Sequence, residues 1–252
     1  MSITEKYRPT RFDEMWQWPC PSLTAITREI ERGRLETPAL LRGDYGEGKS
    51  TLARIIGRRA SCLKPHLHSY EPCNDCDGCK SIKPYHRTFI NDYRYFEIDC
   101  TAYTPDQLLD MILENTWGSF FKTAFRRWVV CIDEIGRQDI KYQRKILKMI
   151  ENLRLHVFLC CGSADKLDRA LRDRCVIRPL KPPTSDQCIN ALKRITQKEG
   201  VEIRDAAAIL LVTRLGCNPR RILKNLATAM SLADRSIGIE QVELAIEMSN
   251  EC

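Results

Sequence analysis

Apolar positions follow two alternating rhythms along the first 180 residues. Residues 22–33 (SLTAITREIERG) place them at helical spacing, starting after Pro21 and stopping at Gly33, which predicts an amphipathic helix. A short apolar run at 38–42 (PALLR) leads into a glycine-rich turn, and KSTLARIIGRRA then returns to helical spacing. YRYFEID, at 93–99, predicts a second strand, and TPDQLLDMILENT a helix with Thr104 as its N-cap. WVVCID, at 128–133, is apolar without alternation and ends in acid, as expected of a strand buried on both faces of a parallel sheet. YQRKILKMIENL then reads as a helix, HVFLCC as a strand, DKLDRALRDR as a helix and VIRPL as a last short strand. Strands alternating with helices predict an α/β fold with a parallel sheet and right-handed crossovers.

The rhythm changes after Leu180. Lys181-Pro182-Pro183 is a stiff break. Beyond it no strand pattern is visible, and the sequence predicts four helices, near 184–199, 205–215, 218–233 and 238–249, divided near Gly200, Gly216 and Gly238. The expected organisation is an α/β domain over 1–180 and a small all-helical domain over 181–252.

The composition narrows the class. With 43% hydrophobic and 29% charged residues in 252, the chain is ordinary for a globular protein, not a disordered tail, a collagen-like or coiled-coil rod, or a membrane protein. No apolar run approaches the roughly 20 residues a spanning helix needs. The polar start, MSITEKYRPT, lacks the apolar stretch of a secretory signal, so a cytoplasmic location with reduced thiols is expected. The net charge of +7 is uneven. Residues 181–252 hold 10 basic and 9 acidic side chains, so the excess lies in the first part of the chain. Within 122–148, Lys122, Arg126, Arg127, Arg137, Lys141, Arg144, Lys145 and Lys148 face only three acids, which suits an anionic partner or a solvated helix face.

The strongest motif is Gly43-Asp44-Tyr45-Gly46-Glu47-Gly48-Lys49-Ser50-Thr51. It fits G-x-x-x-x-G-K-[ST] and sits where that motif must, after a strand and opening a helix. Backbone N–H groups of such a loop wrap phosphates, helped by the positive end of the helix. Lys49 would reach the β- and γ-phosphates of ATP, and the Ser50 hydroxyl would ligate Mg²⁺. Val129-Val130-Cys131-Ile132-Asp133-Glu134 supplies the acidic partner: Asp133 to hold Mg²⁺ through its hydration shell, Glu134 to polarise the attacking water.

Of the 13 cysteines, most are single and lie in apolar runs, where a free thiol behaves as a small hydrophobe. Four stand apart as Cys62-x10-Cys73-x2-Cys76-x2-Cys79, in a polar insert of about residues 62–86. Four thiolates suit a closed structural Zn²⁺ site. His66 and His68 are alternative ligands, an iron–sulfur cluster uses the same four-cysteine set, and buried free thiols are the remaining alternative. A closed zinc site would hold the insert folded rather than catalyse.

Glu5-Lys6-Tyr7-Arg8-Pro9, the P-loop, the four-cysteine insert, EIDC, CIDE and the helical C-terminal part follow one another in an order that resembles the AAA+ ATPases of sliding-clamp loaders. The resemblance is strongest to the bacterial gamma/tau subunit, which carries a zinc module of this cysteine spacing in this place. It implies a P-loop AAA+ domain with a zinc-module insert, followed by a helical lid. It places Tyr7, Arg8 and Pro9 beside the adenine and Leu147–Glu151 on a helix facing a central DNA channel, with Lys141, Arg144, Lys145 and Lys148 as DNA contacts. It makes Ser163 the polar sensor near the γ-phosphate and Arg220, in GCNPR, the sensor arginine of the lid. Arg174, in Asp173-Arg174-Cys175, matches the arginine that reaches a neighbouring subunit's ATP, with Asp in place of the family's Ser. An arginine finger supplied in trans is worth roughly 10³–10⁵ in rate in other nucleotide hydrolases.

The resemblance therefore implies an ATP-dependent homo- or hetero-oligomer of AAA+ subunits on DNA, with a sliding clamp or another protein as client. The family's collar, a further helical domain of about 100 residues, has no counterpart before Cys252, and Glu151 is followed by Asn-Leu-Arg where the family has Pro-Pro. The chain is then either a truncation or a protein that assembles without a collar, and the Met start favours the latter. An ATP-gated regulator that recruits a nuclease, transposase or helicase in a mobile-element or defence system is the second reading.

Overall fold

A computed structural model describes residues 2–66, 69–82, 95–117, 128–152 and 155–250. Lys122, Arg126, Arg127, His68 and the end of the insert from residue 83 lie outside them. The helices and strands run α1 Ile3–Lys6, α2 Pro21–Glu31, β1 Ala39–Arg42, α3 Lys49–Ser61, α4 Asp77–Ser81, β2 Tyr95–Asp99, α5 Pro105–Trp117, β3 Val129–Asp133, α6 Ile140–Asn152, β4 His156–Cys161, α7 Arg169–Asp173 and β5 Val176–Pro179. The C-terminal part adds α8 Ser185–Lys198, β6 Glu202–Ile203, α9 Asp205–Leu215, α10 Pro219–Ser231, β7 Ser236–Ile237 and α11 Ile239–Asn250.

Strands β1 to β5 form one sheet in the order β2-β3-β4-β1-β5, every pair parallel. Successive residues of a strand point to opposite faces, and here both faces are covered. On one face Leu41, Cys131, Phe158 and Cys160 pack with Leu23 and Ile26 of α2 and Leu52, Ile55 and Ile56 of α3. On the other, Leu40, Val130, Ile132, Val157 and Leu159 pack with Leu108 of α5 and Ile146, Leu147 and Ile150 of α6. This two-sided burial is why the strands read as unbroken apolar runs. Each fully buried Leu or Ile contributes about 1.5–3 kcal/mol.

The second face of α3 lies close to β2 because Gly57 lets it. A Cβ at Gly57 would meet Tyr95 Cδ2 at 2.2 Å and Tyr95 Cβ at 2.9 Å. Arg54, one turn earlier, reaches the same strand with a two-pronged ion pair to Glu97.

The four expected C-terminal helices are all present. Helix α8 opens with a reciprocal capping box between Thr184 and Gln187, and Asn218 caps α10 ahead of Pro219. The expectation of no strand beyond 180 is corrected by the parallel pair β6 and β7, two residues each. The helix expected over 165–174 is in fact a short 3₁₀ turn at Ala164–Lys166 followed by the five residues of α7, because Asp168 caps a new start through Ala170 N–H. Ile3, Tyr7 and Trp16 from the N-terminal segment pack into the core of the C-terminal helices, so this segment touches both parts of the molecule.

Candidate functional site

The loop after β1 and the start of α3 wrap one end of a cavity of about 270 Å³. Gly46 and Gly48 have φ +90 and +95, a left-handed region that L side chains rarely adopt, so the loop can curl with its N–H groups inward. Lys49 Nζ donates to the carbonyls of Gly43 (2.7 Å) and Asp44 (3.0 Å), which parks the ammonium over the loop. Glu47 accepts from Asp44 N–H at 2.6 Å, and its burial raises its carboxyl above the ordinary value. This bond braces the turn between Gly43 and Gly46.

The carboxyl end of β3 faces the loop, as expected for a ligand crevice beyond the strand ends of an open α/β sheet. Ser50 Oγ donates to Asp133 Oδ2 at 2.6 Å. A hydroxyl and a carboxylate at this separation are hard oxygen donors of the kind Mg²⁺ takes. Glu134 sits at φ +59, unusual for a residue with a side chain, and its N–H bonds Asp133 Oδ1 at 2.9 Å. Arg137 Nε pairs with Glu134 Oε2 at 3.0 Å.

Of the residues that the sequence reading singled out, Arg8, Pro9, Gly46, Glu47, Gly48, Lys49, Ser50, Thr51, Asp133, Glu134 and Arg220 line one cavity. Arg8 is ion-paired with Glu5 and donates to Thr51 Oγ1 at 3.2 Å. Arg220 stacks its guanidinium 4.3 Å from the Tyr45 ring, and Asn218 Nδ2 donates to Tyr45 O at 2.6 Å, so the C-terminal helices close onto the loop.

Tyr7, Gly43, Ser163 and Arg174 are not among the lining residues. The Tyr7 hydroxyl donates to Glu199. Ser163 Oγ donates to Asp165 at 3.2 Å. Arg174 is on the surface, paired with Glu151 and donating to Ala170 O at 3.3 Å. The sequence reading gave no place in the nucleotide site to Met15, Trp16, Gln17, Tyr45, Glu97, Asp99 or Arg137, the last of which it counted only in the basic stretch 122–148. The signals available for Glu97 were an acid inside an apolar strand and its place at the head of EIDC.

The Sγ atoms of Cys62, Cys73, Cys76 and Cys79 all lie within 4.8 Å of one another, those of Cys73 and Cys79 at 3.9 Å. Zn–S bonds of about 2.3 Å in a tetrahedron set sulfurs about 3.8 Å apart, so the donor set and spacing fit zinc. Burial raises the thiols of Cys62 and Cys79. At Cys76 burial acts the same way, but the Leu63 N–H and the neighbouring thiols outweigh it and bring it down to about 6. His66 does not join this cluster. Every described cysteine, those four included, is outside any disulfide.

On α6, Lys141, Arg144, Lys145 and Lys148 are all exposed; Arg144 pairs with Asp168 at 3.2 Å and Lys145 with Asp106 at 2.9 Å. Among the described residues no helix is long and apolar enough to cross a membrane.

A parallel sheet in this order, with a loop of P-loop sequence, an Asp-Glu strand end and an arginine of the C-terminal helices on one cavity, goes with a P-loop AAA+ module of the clamp-loader type. The chain belongs to the DNA polymerase III delta subunit family, whose model matches residues 21–184. DNA polymerase III subunit gamma of Buchnera aphidicola is 25% identical over 251 residues, covering 99% of this chain and 66% of that protein. The tau subunit of Escherichia coli is 26% identical over 238 residues, covering 93% and 34%. The chain thus spans just under two thirds of the first relative and a third of the second. Among solved structures, the RuvB Holliday junction branch migration motor of Thermotoga maritima matches with TM-score 0.65 at 21% identity, over 96% of this chain and 72% of that one, a likeness of fold.

Proposed function

We propose that this chain binds and hydrolyses ATP as an AAA+ subunit of the clamp-loader type, working in an ATP-dependent oligomer on DNA. The observation that carries it is the meeting of Lys49, Ser50, Asp133, Glu134 and Arg220 around one cavity, although they come from the start of α3, the end of β3 and the helix α10. In this reading residues 1–180 form the nucleotide-binding domain and 181–252 its lid.

Lys49 leaves its two carbonyls to meet the β- and γ-phosphates. Ser50 and Asp133 would hold Mg²⁺, which would supply neutralisation of phosphate charge. Glu134 orients and polarises water for in-line attack. Arg220 leaves the Tyr45 ring for the γ-phosphate, and Arg174 of one subunit serves the ATP of the next. The four cysteines hold zinc as a structural ion. Lys141, Arg144, Lys145 and Lys148 meet DNA phosphates.

The test is the ATPase rate with and without primed DNA at low and high salt. DNA stimulation that fades with salt, and loss of hydrolysis in Lys49→Ala, are the expected results. Stimulation by a protein partner but not by DNA would favour the ATP-gated recruiter instead. Undiminished ATPase of Arg174→Ala in the assembled form would remove the trans arginine from the scheme.

A further inference from the structure

We propose that the four-cysteine module braces the N-terminal segment that walls the nucleotide cavity, with Glu71 as its positioning residue. This rests on the nucleotide-site reading above. The segment from Thr10 to Trp18 has little regular structure of its own, a single 3₁₀ turn at Phe12–Glu14. Yet it must be placed well, because Met15, Trp16 and Gln17 line the cavity and Gln17 Nε2 donates to the P-loop carbonyl of Glu47 at 2.9 Å. Met15 Cε also lies so near Gly48 that a Cβ there would sit 3.0 Å from it.

Beside the core packing of Phe12, Met15 and Trp16, polar contacts from the insert fix this segment. The Glu71 carboxylate, 8% exposed, accepts from Phe12 N–H at 3.0 Å through one oxygen and from Asp13 N–H at 3.2 Å through the other. Asn74 Nδ2 donates to Thr10 Oγ1 at 3.0 Å and Thr10 O at 3.3 Å. The Tyr70 ring lies 5.8 Å from both the Phe12 and the Trp18 rings. Glu71 stands two residues before Cys73, and Asn74 lies between Cys73 and Cys76, so the sulfur cluster decides where both side chains point. On its other side the module is held by α3, the helix that starts at Lys49: Arg58 donates to Cys79 O at 2.7 Å and Ile82 O at 2.8 Å. The module thus spans from the P-loop helix to the N-terminal segment that lines the cavity beside the P-loop. Closing four thiolates on a metal would rigidify that bridge, and opening them would loosen the wall.

The consequence is that metal and nucleotide are coupled through Glu71. The experiment uses the full chain. It measures metal content, equilibrium binding of a fluorescent ATP analogue, and kcat and KM for ATP. Glu71→Ala is expected to keep the wild-type zinc content and lose ~10-fold in nucleotide affinity, with KM raised and kcat kept, since two charge-assisted hydrogen bonds disappear. Asn74→Gly, which retains the left-handed backbone at φ +58, should move the same way by about threefold. Chelated wild-type protein should bind nucleotide at least as weakly as Glu71→Ala. Wild-type affinity in metal-free protein, or in either variant with its zinc in place, overturns the brace. If Glu71→Ala sheds zinc, Asn74→Gly decides. Lys49→Ala separates the two readings: zinc-bound Lys49→Ala that still binds the analogue at wild-type affinity overturns the nucleotide site itself and the brace with it.

Discussion

The buried ion pair between Arg54 and Glu97 offers a quantitative test of how this core is held. Arg54 Nε and Nη2 reach the two carboxylate oxygens at 2.6 and 2.8 Å, with side chains only 4% and 6% exposed. Tyr95 Oη adds a third bond to Glu97 at 3.0 Å. The pair joins α3 to β2 directly behind the cavity, which Glu97 also lines. Removing one partner leaves a buried charge without its counter-ion and costs about 3–5 kcal/mol. At about 2–4 °C per kcal/mol for a chain of this size, Arg54→Met or Glu97→Leu should each lower Tm by roughly 6–20 °C. The double variant replaces both charges by apolar volume and should recover most of that loss, to within about 1 kcal/mol of wild type. The assay is thermal and urea unfolding of all four proteins as a double-mutant cycle. If the single losses are under about 1 kcal/mol and simply add, the pair behaves as a hydrated surface bridge and the reasoning fails.

Other outcomes follow from the same contacts. Gly57→Ala, a change that by helix propensity alone would stabilise by about 1 kcal/mol, should instead destabilise by about 1–3 kcal/mol, read as a lower urea midpoint, because the new methyl meets Tyr95 down to its Cβ. Cys73→Ser should take the zinc content from about one per chain toward zero and lower Tm; an unchanged metal content would dissolve the four-thiolate site. Glu134→Gln should keep ATP affinity and lower hydrolysis by about 10²–10⁴, and a variant that loses affinity in step with rate would assign Glu134 to binding instead. Lys145→Ala should flatten the salt dependence of duplex DNA binding by about one unit of slope, whereas an unchanged slope would take Lys145 off the DNA.

What was legible in the sequence was whatever a local pattern encodes. The strands WVVCID and HVFLCC announced themselves because both sheet faces are covered, and the P-loop because its spacing is a single turn of chain. The two-residue strands β6 and β7 carry too few positions to show a period. The site residues that escaped are those placed by distant pairing. Asp99 is level with Asp133 only through the β2–β3 register, and Gln17 meets the P-loop across thirty residues of chain. Glu71 looked like one polar residue of a polar loop, since nothing near it in sequence shows that its partners are the N–H groups of Phe12 and Asp13.

The ion pairs on α6 decide how its basic face could serve the proposed DNA contact. Lys145 and Asp106 are 56% and 75% exposed, so their bridge is worth about 0–1 kcal/mol and a DNA phosphate can replace it at little cost. Arg144 differs, because its partner Asp168 is 7% exposed and caps α7 through Ala170 N–H at 3.1 Å. That cap does not depend on Arg144: the Asp168 Oδ1 bond to Ala170 and the Asp168 N–H bond to Gln143 at 2.6 Å both survive the arginine's departure. Arg144 is itself 67% exposed, and its Nε and Nη2 reach the other Asp168 oxygen, Oδ2. The helix can therefore turn both side chains to phosphate without unravelling α7 or moving its own apolar face, Ile146, Leu147 and Ile150, out of the core. For Lys145 the local pairing costs little of the electrostatic gain on DNA, whereas Arg144 on leaving takes the counter-ion from the nearly buried Asp168 and keeps less of its gain.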